Sequence, residues 1–153
     1  MTNSLDSMIS DPRESMIAIG IAGGECRVLI LDDDTITLAF MKNIFNKLGI
    51  NIETAENGKQ GLAILEKSPP NLLLCDLGMP EMDGVEFLQE LSRRGFDGGV
   101  ILISGLHADM LSGMELLASK LGLNILGTLP KPVASHQLIP MLADFCRQLG
   151  KQP

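Results

Sequence analysis

Three aspartates, Asp32, Asp33 and Asp34, stand directly behind the apolar run RVLIL, and a fourth, Asp76, ends the run NLLLCD. Two later apolar runs end in other chemistry. GVILIS closes on the hydroxyl of Ser104, and LNILGTL is followed, after one proline, by the ammonium of Lys131. In open parallel sheets the functional crevice lies outside the carboxyl ends of the strands, so residues that follow each run fall at one edge. Carboxylates brought within several ångströms there repel by roughly 1 to 4 kcal/mol per close pair. A divalent cation offsets that repulsion, and Mg²⁺ favours one or two carboxylates, retained waters and a phosphate oxygen. A carboxylate, a metal, a lysine and a small hydroxyl around one crevice suit a transferring phosphoryl group, whose spread charge needs positioned cations and donors. Asp76 is then the candidate nucleophile of an acyl phosphate. Taken singly, each of these residues reads as a turn, a loop or a cap, and Asp34 is read as a helix cap or exposed turn. Their coincidence, strand by strand and in order, carries the weight.

The elements that must position them alternate. RVLIL, NLLLCD and GVILIS are short continuous apolar runs, the pattern of strands buried on both faces. INIETA reads as a second strand by its alternation, and LNILGTL as a fifth. Between them, Ile36, Phe40, Ile44 and Leu48 recur at helical spacing with Gly49 placed to end the helix. Asn57-Gly58 opens a helix that Pro69-Pro70 closes, and VEFLQELSRR puts Val85, Leu88 and Leu91 on one side. MLSGMELLASKLG supplies a fourth helix and SHQLIPMLADFCRQLG a fifth, with Pro140 in its first turns or bending it. Such alternation predicts an α/β fold with a five-stranded parallel sheet and helices on both faces, because parallel strands need right-handed crossovers. LGMPEMDG, behind Asp76, is a loop by its Gly, Pro and Asp-Gly content. Met79, Met82, Met110, Met114 and Met141 read as core or partner-face packing, and Phe40, Phe45, Phe87, Phe96 and Phe145 as core.

The chain has 153 residues, 45% of them hydrophobic, which is enough for one domain with a real core. Residues 1–25 lack a sustained period and read as a flexible extension, residues 26–150 as the folded domain and 151–153 as a tail. Twelve basic against nineteen acidic residues give a net charge of -7, which argues against direct binding of nucleic acid or anionic lipid. The apolar stretch from Met16 to Gly24 is far shorter than the roughly 20 residues of a membrane span, and its acidic lead does not fit a signal peptide. Cys26, Cys75 and Cys146 are widely spaced and lack a CxxC pairing, so they read as reduced thiols of a cytoplasmic protein. His107 and His136 have no spacing partner and read as exposed.

The acid pair in LILDDD, the segment NLLLCDLGMPEMDG, the VILISG strand and the LPKP turn together resemble the receiver domain of two-component response regulators, over about Arg27 to Leu149. The resemblance implies the flavodoxin-like doubly wound (βα)₅ fold with strand order 2-1-3-4-5. It implies Asp76 as phospho-acceptor, Asp33 as a direct Mg²⁺ ligand, Asp32 as a ligand through water and the backbone carbonyl of Gly78 as a further ligand. Ser104 would bond a phosphoryl oxygen and Lys131 would pair with the phosphate. The implied donor is a sensor histidine kinase or phosphotransfer protein, and phosphorylation would switch a partner-binding or output surface, with a homodimer as one outcome. The domain would be a signalling module rather than an enzyme. Thr35 stands where such domains often carry proline, and Thr128 where they commonly carry a switch aromatic. SGLHADML followed by LASKLGLNILGTLPKP resembles receivers that precede cyclic-di-GMP phosphodiesterase domains of the EAL type.

Two other readings compete. A phosphatase of the haloacid dehalogenase class would use Asp32 as nucleophile within its Asp-x-Asp spacing, but Ile36 stands where that motif wants threonine. A non-phosphorylated pseudo-receiver is disfavoured because acid pair, acceptor, hydroxyl and lysine are all present.

Overall fold

The computed structural model of the chain describes residues 26–78, 84–105 and 108–150. The extension 1–25, the tail 151–153, Met79, Met82 and His107 lie outside the described residues. Ten elements alternate: β1 (Arg27–Leu31), α1 (Thr35–Leu48), β2 (Asn51–Ala55), α2 (Gly58–Lys67), β3 (Leu72–Asp76), α3 (Gly84–Arg93), β4 (Gly99–Ser104), α4 (Ala108–Lys120), β5 (Asn124–Pro130) and α5 (Ser135–Gly150). The strands form one parallel sheet in the order β2-β1-β3-β4-β5. This is the expected flavodoxin-like arrangement. β1, β3 and β4 occupy the interior, which is why their sequences are apolar without alternation.

Each face of the sheet carries its own core. Val28, Ile30, Leu72, Leu74, Ile101, Ile103 and Leu129 point to the side covered by α1 and α5, where Met41, Phe45, Leu138 and Leu142 meet them. Leu29, Leu31, Leu73, Cys75, Val100 and Leu102 point to the other side, toward Leu65, Phe87, Leu88, Leu91 and Ala118 of α2, α3 and α4. The two-residue period of a strand sorts them.

Helix α1 departs from the expected stripe. Ile36 is 80% exposed and Phe40 41% exposed, while Leu38, Met41, Ile44, Phe45 and Leu48 are buried. Phe40 is therefore not core. Apolar residues surround this helix, and the face that meets the sheet is chosen by the strand beneath it. Phe96 is half-buried against the second core, and Met110 lies exposed on α4. α4 also starts two residues earlier than its apolar period indicates, at Ala108.

Caps and turns fix the ends. The Asp34 carboxylate accepts from the N–H of Ile36 at 3.0 Å and from the hydroxyl of Thr37 at 2.9 Å, so it caps α1 as its position predicts. Asn57 does the same for α2 through the N–H of Gln60. Gly49 ends α1 at φ +73°, a left-handed conformation that glycine adopts without Cβ strain. Between β4 and β5 the register shifts at Val100/Ile101, so that Ile101 faces Gly127 and Leu102 faces Thr128. At Gly127 a Cβ would lie 2.2 Å from the terminal methyl of Met141. That missing side chain lets α5 sit close on β5.

Candidate functional site

Sheet register brings the sequence-predicted residues together. Leu31 is level with Cys75, so Asp32 and Asp76 each stand one step beyond a matched pair. Asp76 is level with Ile103, and Ser104 with Pro130, which places Lys131 just past the hydroxyl-bearing strand end. The backbone N–H of Lys131 donates to the carbonyl of Ser104 at 3.1 Å, and that of Leu77 to the carbonyl of Ile103 at 3.0 Å. The loops therefore leave the sheet in fixed directions.

Asp32 is fully buried, Asp76 nearly so, and Asp33 is exposed. Carboxylate oxygens of all three lie within 4.8 Å of one another. The Lys131 Nζ donates to Asp32 Oδ1 and to Asp76 Oδ2, each at 3.2 Å, and so bridges the two buried acids. Asp32 Oδ1 also accepts from the N–H of Asp34 at 2.8 Å, and Asp76 Oδ1 from the N–H of Gly78 at 3.0 Å. Asp32 Oδ2 is buried with no hydrogen-bond partner, a condition that costs free energy unless something fills it. An acidic, oxygen-only donor set with one unsatisfied buried oxygen fits a hard divalent cation such as Mg²⁺. Gly78 is exposed two residues past Asp76, in reach of the same crevice by sequence. Ser104 is buried at the end of β4.

Electrostatics follow from this packing. Burial raises the Asp32 carboxyl to about 6 from its ordinary 3.8, with the negative charge of Asp76 adding to it, while the N–H of Asp34 and Lys131 pull the other way. Burial weakens the ammonium of Lys131, but the carboxylates of Asp76 and Asp32 outweigh it and hold the lysine above its usual range. Cys75, sealed in β3, is pushed far up by burial and by the neighbouring acids, so its thiol is unreactive.

Two features escaped the sequence reading. The double role of Lys131 as a bridge is invisible without the sheet register. The Asp34 N–H as a donor to Asp32 was legible in principle, since an aspartate commonly accepts from the N–H two residues on.

A doubly wound sheet with this acidic crevice at its carboxyl edge defines a class of proteins, and sequence comparison sets the chain within it. The family described as response regulator receiver domain matches residues 28–143. The chain belongs to that family. The transcriptional regulatory protein CpxR of Klebsiella pneumoniae is 32% identical over 124 residues, which are 80% of this chain and 50% of CpxR. The chain spans half or less of the length of the first curated relatives it matches. Among solved structures, a CheY-like response regulator receiver domain protein from Methanospirillum hungatei superposes with a TM-score of 0.72 at 27% identity, covering 84% of this chain and 98% of that one. The receiver domain of Saccharomyces cerevisiae Ssk1, solved with the histidine phosphotransfer signaling protein Ypd1, has a TM-score of 0.70 at 22% identity, covering 83% and 92%. The last likeness speaks for the fold alone.

Proposed function

We propose that this domain is a phosphorylation-dependent switch in which Asp76 accepts a phosphoryl group from a histidine kinase or a histidine phosphotransfer protein. The observation that carries the reading is the convergence of Asp32, Asp33 and Asp76 within 4.8 Å, with Lys131 bridging the two buried members. In the transfer, an Asp76 carboxylate oxygen bonds to phosphorus as the donor's phosphorus–nitrogen bond breaks, and the donor imidazole keeps the electron pair and takes up a proton. Lys131 already donates to an Asp76 oxygen and needs only a small movement to pair with the phosphoryl group. The Ser104 hydroxyl is the donor for a phosphoryl oxygen. Asp32, Asp33, Asp76 and the Gly78 carbonyl are the groups that hold Mg²⁺. When bound, that ion neutralises charge on the transferring oxygens.

The stored change is read out through a surface rather than through turnover. Ser104 ends β4 and leads toward α4, and Lys131 directly follows β5, so these elements are the ones whose positions phosphorylation alters. The adjoining output, whether an EAL-type domain, a second copy or a separate effector, lies beyond the folded unit of residues 26–150. The protein works in the cytoplasm. No described helix is long and apolar enough to cross a membrane. A phosphatase built on Asp32 gains no support, because Ile36 stands where its motif wants threonine.

Adding Mg²⁺ with a beryllofluoride phosphoryl mimic is expected to move amide resonances around Ser104 and Lys131 in the wild type and not in Asp76→Ala. An absent response, or an equal one in the variant, refutes the assignment. Phosphate-ester hydrolysis lost in Asp32→Asn but kept in Asp76→Asn would favour the phosphatase instead.

A further inference from the structure

Helix α4 is fastened at one end. Among its described residues Ala118 alone is buried, whereas α1 buries Leu38, Met41, Ile44, Phe45 and Leu48 along its length. The carboxyl end of α4 is closed by several bonds. The N–H groups of Leu121, Gly122 and Leu123 return to the carbonyls of Leu117, Ser119 and Ala118 at 3.0, 3.0 and 3.3 Å, with Gly122 at φ +80°, the left-handed conformation that ends a helix. The Ser92 hydroxyl of α3 donates to the Leu121 carbonyl at 2.6 Å and pins that end to the neighbouring helix. Among the described residues the first half of α4 has no such fastening. Asp109, Met110, Ser112 and Gly113 are exposed, and Leu111 and Met114 are only half-buried against the second core. Gly113 lies inside this half. A Cβ there would meet no atom within 4 Å, and the residue is not one of the left-handed glycines Gly49, Gly95 and Gly122, so neither packing nor a turn requires glycine. What is left is its cost to a helix, about a fivefold loss in the local helix equilibrium relative to alanine.

We propose that α4 is a pivoted helix: residues 109–114 open and reclose while residues 117–121 stay fastened to α3 through Ser92, and Gly113 sets how often the free half opens. Opening exposes little new apolar surface, because only the partial cover of Leu111 and Met114 is lost. The fastened half resists for the opposite reason. Its unfolding would strip the fully buried Ala118 and leave the Leu121 carbonyl without the Ser92 hydroxyl. The free half follows shortly after Ser104 in the chain, so a movement of that hydroxyl toward a phosphoryl group meets a segment that already yields. That use of the pivot rests on the phosphorylation-switch reading, whereas the opening itself does not. Alanine at position 113 would fit without a clash and hold the helix more firmly; glycine there lowers local stability at the place where the switch needs compliance.

Amide hydrogen exchange of the full chain, resolved by residue and corrected for the intrinsic rate of each sequence, tests the pivot without Mg²⁺ or a phosphoryl mimic. In the wild type, residues 112–115 are expected to exchange roughly tenfold faster or more than residues 118–121 and than the equivalent residues 39–42 of α1. Gly113→Ala should slow residues 112–115 about fivefold and leave residues 118–121, β3 and β4 unchanged. Ser92→Ala should speed residues 118–121 toward the rate of the first half. Uniform exchange along α4, a Gly113→Ala effect that is absent or shared equally by β3 and β4, or no change at residues 118–121 in Ser92→Ala would each overturn the proposal. The wild-type profile and Gly113→Ala decide it even if Ser92→Ala fails to fold. Because no phosphoryl group enters the measurement, a missing beryllofluoride response counts against the switch reading and not against the pivot.

Discussion

Lys131 serves two carboxylates at once, and Asp32 is the one for which that arrangement falls short. Its carboxyl titrates near 6 in the fold against 3.8 ordinarily, because burial resists its charge more than Lys131 favours it. Between those values the folded chain keeps a proton that the unfolded chain has released. Stability contributed through Asp32 therefore falls as pH rises from about 4 to about 6 and then levels off, by an amount on the order of 3 kcal/mol. Urea midpoints measured across this window in magnesium-free buffer should show a slope in the wild type that Asp32→Asn lacks. Identical slopes in the two proteins would place the titration elsewhere.

Asp33 and Asp34 are neighbours with separable roles. Asp34→Ala removes the acceptor for Ile36 and Thr37 and is expected to lower the melting temperature by roughly 2–4 °C. Asp33→Ala, at an exposed carboxylate, should leave the metal-free melting temperature within about 1–2 °C of wild type while weakening the response to Mg²⁺. Calorimetry with and without the ion distinguishes them. The reverse pattern would mean that the cap and the metal ligand had been assigned to the wrong residues.

At the scale of elements, the contact between β5 and α5 makes a sharp expectation. Gly127→Ala would drive a Cβ against the methyl of Met141. Because that methyl ends a flexible side chain, the cost is expected to be about 1 kcal/mol, read from denaturant midpoints. In a Met141→Ala background the same substitution should cost nothing or stabilise, since alanine is otherwise the better strand residue. An equal cost in both backgrounds would show that the close approach is not what selects glycine. This contact was not legible in the sequence, where Gly127 is one glycine among sixteen. The face of α1 was illegible for another reason. Ile36, Phe40, Ile44 and Leu48 fit a helical period, but so do Leu38, Met41, Phe45 and Leu48, and only the strand beneath determines which set is buried. The interior strands, by contrast, were plain, because beyond the exposed Arg27 at the start of β1, burial on both sides leaves β1, β3 and β4 no polar position until they reach the crevice.

At the scale of the whole molecule, strand order ranks stability. β3 and β4 are buried along their full length, whereas β2, at an edge, is exposed or half-buried until its last residue, Ala55. Amide hydrogen exchange is expected to be slowest in β3 and β4 and faster in β2. Comparable protection in β2 would point to a partner pairing with that edge. The crevice was legible at this scale because Asp32, Asp76, Ser104 and Lys131 each end or follow a run that could be recognised alone, and the parallel alternation implied a shared edge. What could not be read was the sharing of one ammonium between two acids, since neighbouring residues say nothing about which carboxylates a lysine 55 and 99 residues away will reach.

That separation has a consequence in time. As the chain is synthesised from its N-terminus, both acids of the bridge exist once Asp76 has been added, whereas their counter-charge is 55 residues later. At ordinary elongation rates of about 5–20 residues per second, the nascent carboxylates wait roughly 3–10 seconds for Lys131. Until the final strand arrives, the edge of β1 and β3 repels itself, so closure of the sheet by β5 and completion of the charge balance are one event. A chain stopped short of that strand would have only a bound cation to offset the charge of the two acids.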